Sequence, residues 1–229
     1  MPYYYVDYWY LILVVPAIIF SLIASAGVNS AFKKYSKVAS RSGITGAESA
    51  RRVLMANGVT GVKIESVAGN LTDHFDPKTN TIRLSENVYG ASTVAAVGVA
   101  AHEAGHAVQY AVGYTPMKLR AAIIPATNIG AKISWPLILI GLLLSSYSLA
   151  LLGVLAFGLS TLFQFITLFV EFDASKRAIS AVEGMCAGAE EVNGTKRVLR
   201  AAALTYVAAL AVSLANLLRL FIMINRRRD

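Results

Sequence analysis

Three residues close together in the chain, His102, Glu103 and His106, have the types and spacing of a metal site joined to a general base. If the segment AAHEAGHAVQY is helical, residues four apart lie on one face, so both imidazoles can reach one metal ion. Glu103, beside the first imidazole, can accept a proton from water activated by that ion. The spacing predicts zinc-assisted hydrolysis, with His102 and His106 as ligands and Glu103 as the base.

The same spacing can arise by accident, but this chain has only 3 histidines among its 229 residues. Two histidines four apart with a glutamate after the first are then expected in on the order of one such chain in a thousand. A buried, Ala-rich helix is also a poor setting for ionisable groups without partners, because their burial costs free energy. A metal site is therefore favoured over coincidence.

Two histidines leave a catalytic zinc ion one protein ligand short, since such sites use three protein ligands and keep one position open. Glu171 is the leading candidate, because it ends a run of 38 uncharged residues and opens EFDASKRA, a segment that can pack as a helix against the histidines. Asp173 and His74 are the alternatives, and Glu171 can equally be an interfacial charge with no metal role. Cys186 is the only cysteine, so the ligands must be histidines and carboxylates.

The composition indicates a membrane protein. Hydrophobic residues make up 56% of the chain and charged residues 15%, with a mean hydropathy of +0.57, whereas soluble domains have roughly 25% charged residues. The net charge of +8 is carried by basic residues that flank apolar stretches, without a nucleic-acid-binding motif. The expected partner is therefore the lipid bilayer and not nucleic acid.

The apolar segments predict three or four membrane spans. Residues 10–28 are uncharged and close to the roughly 20 residues that cross a bilayer. A cleaved signal peptide is less favoured, because Asp7 precedes this segment and no Lys or Arg does. Residues 121–170 predict a helical hairpin, since 38 uncharged residues in one helix would reach about 57 Å, nearly twice the hydrocarbon thickness. The break is expected near Ser145, Ser146 and Ser148.

The two ends of the chain give conflicting signals for orientation. Lys33, Lys34, Lys37 and Arg41 follow the first span and place the next segment in the cytoplasm. Four spans would then put the basic C-terminus, residues 226–228, outside. Residues 201–225 are predicted to form a last helix, which crosses the membrane or packs on the polar domain. If it crosses, either another predicted span is wrong or the basic tail departs from the positive-inside tendency. We expect the active site on the cytoplasmic side.

Residues 29–120 predict a small α+β domain. Thr45 and Glu48 form a capping-box pattern ahead of a short helix, and Gly58 ends that helix. Residues 61–67 alternate as in a strand, and the runs LTDHF and TIRLS around DPKTN predict an antiparallel hairpin. Ser92 or Thr93 can cap the helix with the histidine pair, which runs to about residue 110. A helical segment over 171–200 completes the zinc site.

His74 lies in the LTDHF strand, which is a natural edge for an extended substrate, because a peptide can add to a sheet edge through main-chain bonds. The side chain is a candidate for contact with substrate or with the transition state. A hydrogen bond to Asp73 or Asp76 is the equally plausible alternative.

Three motifs in order, LTDHFDPKTNTIRLS, AAHEAGHAVQY and EFDASKRA, resemble the YugP-type neutral zinc metallopeptidases of bacterial membranes, and the resemblance covers nearly the whole chain. The chain is more distantly similar to gluzincin-type membrane proteases of the HtpX kind, in which the glutamate of an E-x-x-A-D pattern is the third ligand. This resemblance implies that Glu171 is the third zinc ligand, with Ala174 matching the alanine. This chain has Ser175 where the pattern has aspartate. A carboxylate that orients a zinc-bound imidazole is therefore not expected at this position.

The expected fold is a mainly α membrane protein, with three or four transmembrane helices and a small α+β zincin-like metalloprotease domain. The expected function is zinc-dependent hydrolysis of peptide bonds in membrane or membrane-proximal polypeptides, with one zinc ion per chain, in a bacterial cell membrane. One alternative is a non-catalytic metal-binding membrane protein, a transporter or sensor, which would place ligands along several spanning helices. The other alternative is a scaffold protein without catalytic activity. The presence of Glu103 argues against it, because loss of this base would be the simplest way to lose activity.

Overall fold

A computed structural model describes residues 7–185 and 188–226, so Cys186 and the arginines at 227 and 228 lie outside the described residues. The protein is a mainly α membrane protein with a small three-stranded sheet, as the sequence predicts. Its elements in chain order are α1 (Val15–Tyr35), α2 (Gly46–Ala56), β1 (Lys63–Val67), β2 (His74–Asp76), β3 (Thr81–Ser85), α3 (Glu86–Tyr89), α4 (Val94–Ala111), α5 (Thr115–Leu143), α6 (Tyr147–Gly184) and α7 (Ala189–Asn225).

Four helices of the described chain are long and apolar enough to cross a bilayer: Tyr10–Tyr35, Thr115–Leu143, Tyr147–Gly184 and Ala189–Asn225. The first of these includes a π-helical turn at Tyr10–Val14 ahead of α1. The break between α5 and α6 falls where it is predicted, and Ser145 there has a positive φ of 52°. By length and composition, four spans are favoured over three.

The last two helices are longer than the sequence analysis expects. The prediction separates an apolar span that ends at 170 from a polar helix over 171–200, but α6 and α7 both continue through these boundaries. Between residues 159 and 183 there is neither glycine nor proline, so nothing in the backbone ends the helix where the polarity changes. Glu171 therefore lies inside α6 and not at the start of a new helix.

The described chain divides into two compact units, and one comprises residues 7–24, Leu119–Leu168 and residues 205–226. Its apolar core contains Ile138, Ala150, Val154, Leu220 and Ile224. Arg219, which lies within the apolar part of α7, donates from Nε to Asp7 Oδ2 at 2.7 Å, and its guanidinium group lies 5.1 Å from the ring centroid of Tyr10. This pairing lowers the cost of a charge on an apolar helix.

The other unit comprises Ser25–Lys118 and Phe169–Leu204 and contains the sheet, in the order β1-β3-β2. The predicted hairpin is confirmed, because β2 and β3 pair antiparallel. β1 pairs parallel to β3, whose Ile82 and Leu84 are fully buried. The predicted helix cap is also present, since Glu48 N donates to Thr45 Oγ1 at 3.2 Å.

Candidate metal centre

The helix that carries the histidine pair, α4, is buried along most of its length. Thr93 caps it, because Oγ1 of Thr93 accepts from Ala96 N at 3.3 Å. The rings of His102 and His106 lie edge to face with centroids 4.7 Å apart, as expected of residues four apart on one helical face. The local sequence thus folds to present both imidazoles together.

Glycine in the middle of α4 lets α6 approach closely. A Cβ atom built on Gly105 would lie 2.9 Å from the carbonyl oxygen of Ala174, which is backbone and cannot move aside cheaply. The absence of a side chain at Gly105 therefore sets how near α6 comes to the two histidines. Glu171 lies three residues before Ala174 on the same helix, so this contact also fixes the position of Glu171.

Glu171 is the carboxylate that meets both imidazoles. Its Oε2 lies 3.2 Å from Nε2 of His102 and 3.4 Å from Nε2 of His106. One ligand atom from each of the three residues lies within 4.8 Å of the others. The side chains of His102, His106 and Glu171 are only 13%, 10% and 4% exposed, respectively. Two imidazole nitrogens and one carboxylate oxygen are a donor set that suits zinc, so the residues present fit this ion.

The second nitrogen of each imidazole also has a partner. Nδ1 of His102 lies 3.2 Å from Ser175 Oγ, and Nδ1 of His106 lies 3.0 Å from Gln109 Oε1. When Nε2 binds a metal ion, Nδ1 carries the proton and donates it to these oxygens. Both rings are therefore held with Nε2 turned toward Glu171.

Gln109 is fully buried and its amide is oriented from three sides. Its Nε2 donates to the carbonyl oxygen of Val170 and to Asp173 Oδ2, both at 2.8 Å. Asp173 in turn accepts from Arg177 Nε at 2.6 Å. The alternative ligand Asp173 thus supports Gln109 and is not a member of the three-residue metal group found among the described residues.

Gln109 is a residue that the sequence analysis missed. The available signal was its position three residues after His106, which places the two on the same side of α4. Ser175 was noted only as a departure from a pattern, yet its hydroxyl stands where a carboxylate was expected. A polar residue three or four positions from a predicted ligand, on a buried helix, is the general sign to look for.

Glu103 is on α4 beside His102 and is 8% exposed. Its charge contributes to the electrostatics of the group. Burial alone lowers the pKa of His106, but the hydrogen bond that the imidazole donates to Glu171 and the negative charges of Glu103 and Glu171 raise this pKa above its ordinary value. The negative charges around the imidazoles therefore stabilise a cation at this place, either a proton or a metal ion, and a metal ion binds His106 only after Nε2 has lost its proton.

His74 is the exposed residue of β2 and is not in the three-residue metal group. Its Nδ1 is 2.8 Å from the carbonyl oxygen of Thr72, whereas Asp73 bonds to Ser85 and Asp76 to Arg83. The adjacent Phe75 packs 5.8 Å from the ring of Tyr110 on α4. Because side chains alternate along a strand, His74 points to the opposite face of the sheet from Phe75. Its contact with substrate stays a prediction.

Known proteins that are similar to this chain indicate its family. Residues 10–225 match the model of a family described as "Putative neutral zinc metallopeptidase". The chain is also 46% identical over 222 residues to the "Putative membrane protease YugP" of Bacillus subtilis (strain 168), which covers 96% of this chain and 98% of that protein. No solved structure matches the chain significantly. The matched region includes the two imidazoles and the buried carboxylate, and the chain therefore belongs to this family of zinc metallopeptidases.

Proposed function

We propose that the protein is a membrane-integrated endopeptidase that hydrolyses peptide bonds in membrane or membrane-proximal polypeptides. His102, His106 and Glu171 would hold one zinc ion per chain, and Glu103 would act as general base. The observation that carries this proposal is the convergence of three ligand atoms within 4.8 Å in a nearly buried site. A structural role alone does not require two imidazoles to turn the same nitrogen toward one carboxylate.

The bound zinc ion would supply Lewis acidity, which makes water more acidic and a peptide carbonyl more electrophilic. Glu103 is the carboxylate adjacent in sequence to a ligand and is not itself in the ligand group. It accepts a proton from the attacking water as the new carbon–oxygen bond forms. The carboxylic acid then gives that proton to the leaving amine nitrogen as the carbon–nitrogen bond breaks.

The edge of the sheet at β2 supports a place for an extended substrate. β2 is at one end of the strand order β1-β3-β2, and it packs near α4 through Phe75 and Tyr110. A polypeptide that adds to this edge would be held by main-chain hydrogen bonds, which suits cleavage with little side-chain preference. His74 on β2 would then contact substrate from the exposed face of the sheet.

The active site is proposed to face the cytoplasm of a bacterial cell. Lys33 and Lys34 lie in the last turn of α1, and Lys37 and Arg41 follow it. Basic residues at the end of a span favour the cytoplasmic side. The segment that contains α4 follows these lysines before the next candidate span begins at Thr115, so it would lie on the same side of the membrane as they do.

The decisive experiment compares wild type with Glu103→Gln, both purified in detergent. Metal content is measured by elemental analysis, and cleavage of casein is followed as an unfolded model substrate. We expect one zinc per chain in both proteins and cleavage by wild type alone, because the substitution removes the base and leaves the ligands.

The other outcomes separate the alternatives. Zinc in both proteins without cleavage of casein or of membrane-protein substrates would favour a metal-binding transporter or sensor. Absence of zinc from both would contradict the proposed metal site. For the substrate edge, His74→Ala should keep its zinc and cleave casein more slowly than wild type, and full turnover would exclude a role of this side chain in binding substrate.

A further inference from the structure

A groove of about 340 Å³ lies between α6 and α7, within the second unit. The α6 side is one helical stripe of residues at spacings of three and four, namely Phe172, Ser175, Lys176, Ile179 and Ser180. The α7 side is a single turn formed by Leu199, Arg200 and Ala203. The groove therefore combines an apolar lining with two hydroxyl groups and two cations.

The two cations of the groove are available to a ligand. Lys176 and Arg200 are exposed, and no carboxylate lines the groove. Within residues 7–185 and 188–226, neither cation forms an ion pair, whereas the nearby Arg177 and Lys196 are paired with Asp173 and Glu183. An anion can thus enter without first displacing a carboxylate of the protein.

The position of the groove along both helices favours a lipid over a free ion. α6 has no charged residue from Tyr147 to Val170, and α7 has none from Ala201 to Leu218. Lys176 follows the first apolar run by six residues, about 9 Å along the helix, and Arg200 directly precedes the second. Cations at such boundaries lie at the depth of lipid headgroups.

We propose that this groove binds an anionic membrane phospholipid. Lys176 and Arg200 contact the phosphate, and the hydroxyl of Ser180 can donate a further hydrogen bond to it. Phe172, which is 46% exposed, and Ala203 contact the first part of an acyl chain. The apolar contacts distinguish a lipid from inorganic phosphate, which would use the cations alone.

The test is native mass spectrometry of the full-length protein in detergent, titrated with phosphatidylglycerol or with phosphatidylcholine that has the same acyl chains. Wild type should retain phosphatidylglycerol preferentially. Lys176→Gln/Arg200→Gln should weaken this binding roughly 25-fold, since each cation near anionic lipid contributes about a fivefold effect. Lys78→Gln/Arg197→Gln is the matched control, because it also removes one lysine and one arginine that are exposed, do not line the groove and form no ion pair within the described residues.

A second variant tests the apolar contacts without changing the charge. Ala203→Trp should fill the groove and reduce retention of phosphatidylglycerol while both cations remain. A large excess of inorganic phosphate should displace little of the lipid from wild type. The proposal is overturned if wild type binds both lipids equally, if the groove double variant matches its control, or if phosphate displaces the lipid completely.

Discussion

The hydroxyl of Ser175 lies 3.2 Å from Nδ1 of His102, on the far side of the ring from the Nε2 atom that approaches Glu171. The related pattern has aspartate at this position. Serine keeps the hydrogen bond that orients the imidazole but brings no negative charge. The ring is therefore positioned by geometry, with less electrostatic support for the metal than a carboxylate would give.

Ser175→Ala should weaken zinc binding by roughly tenfold, at the lower end of what loss of an outer partner costs. Ser175→Asp should bind zinc at least as tightly as wild type, because it restores an acceptor and adds negative charge. The zinc dissociation constant, measured by competition with a chromophoric chelator, checks both. Unchanged affinity in Ser175→Ala would show that the hydroxyl does not position His102.

Gln109→Leu should lower the thermal unfolding temperature even without metal. The substitution removes the amide donor that the Val170 carbonyl and Asp173 share. It also leaves the buried Nδ1 of His106 without its acceptor, which costs roughly 1–3 kcal/mol. Zinc affinity should fall as well, because His106 loses its acceptor. Gln164→Leu is the matched control, since this half-buried glutamine of α6 belongs to the other unit. Equal unfolding temperatures for the two variants would refute the role given to Gln109.

Gly105→Ala should separate α4 from α6 and abolish high-affinity zinc binding. The added Cβ would meet the carbonyl oxygen of Ala174 at 2.9 Å, so one helix must shift by several tenths of an ångström. Gly27→Ala is the control, because a Cβ there meets nothing within 4 Å. Zinc titration and unfolding temperature distinguish the two. Near-wild-type zinc affinity in Gly105→Ala would mean that this contact does not set the site.

The Asp7–Arg219 pair should show energetic coupling in a double-mutant cycle. Asp7→Asn keeps an oxygen that can cap Tyr10 N but leaves the guanidinium on an apolar helix without a counter-charge. Arg219→Leu should suppress most of that cost, with a coupling energy of about 1 kcal/mol. Unfolding in mixed micelles measures each term. Additive effects of the two substitutions would argue that the ion pair contributes nothing to stability.

The sequence alone determined the features that depend on neighbouring residues. The pairing of His102 with His106 follows from helical periodicity, and the cap at Thr45 follows from a side chain that reaches a backbone amide three residues away. The membrane class follows from hydropathy, and the break at Ser145 from the limit that bilayer thickness places on one helix. Each of these features depends on the geometry of neighbouring residues or on the composition of a segment. Local geometry and composition can both be derived from the amino-acid sequence alone.

Tertiary structure decided which distant groups meet these local features. Glu171 and Asp173 are both carboxylates and are close in sequence. Only the packing of α6 on α4 at Gly105 brings Glu171 to the two imidazoles and Asp173 to Gln109. That outcome depends on how α6 is rotated about its axis and shifted along it relative to α4. His102 and Glu171 are 69 positions apart in the sequence, so local sequence patterns do not determine this packing. The same packing turned Ser175 toward His102. The change in polarity at residue 170 also predicted a helix boundary there, and this prediction was wrong. Helix α6 continues through residue 170 to Gly184, because no glycine or proline interrupts its backbone hydrogen bonds.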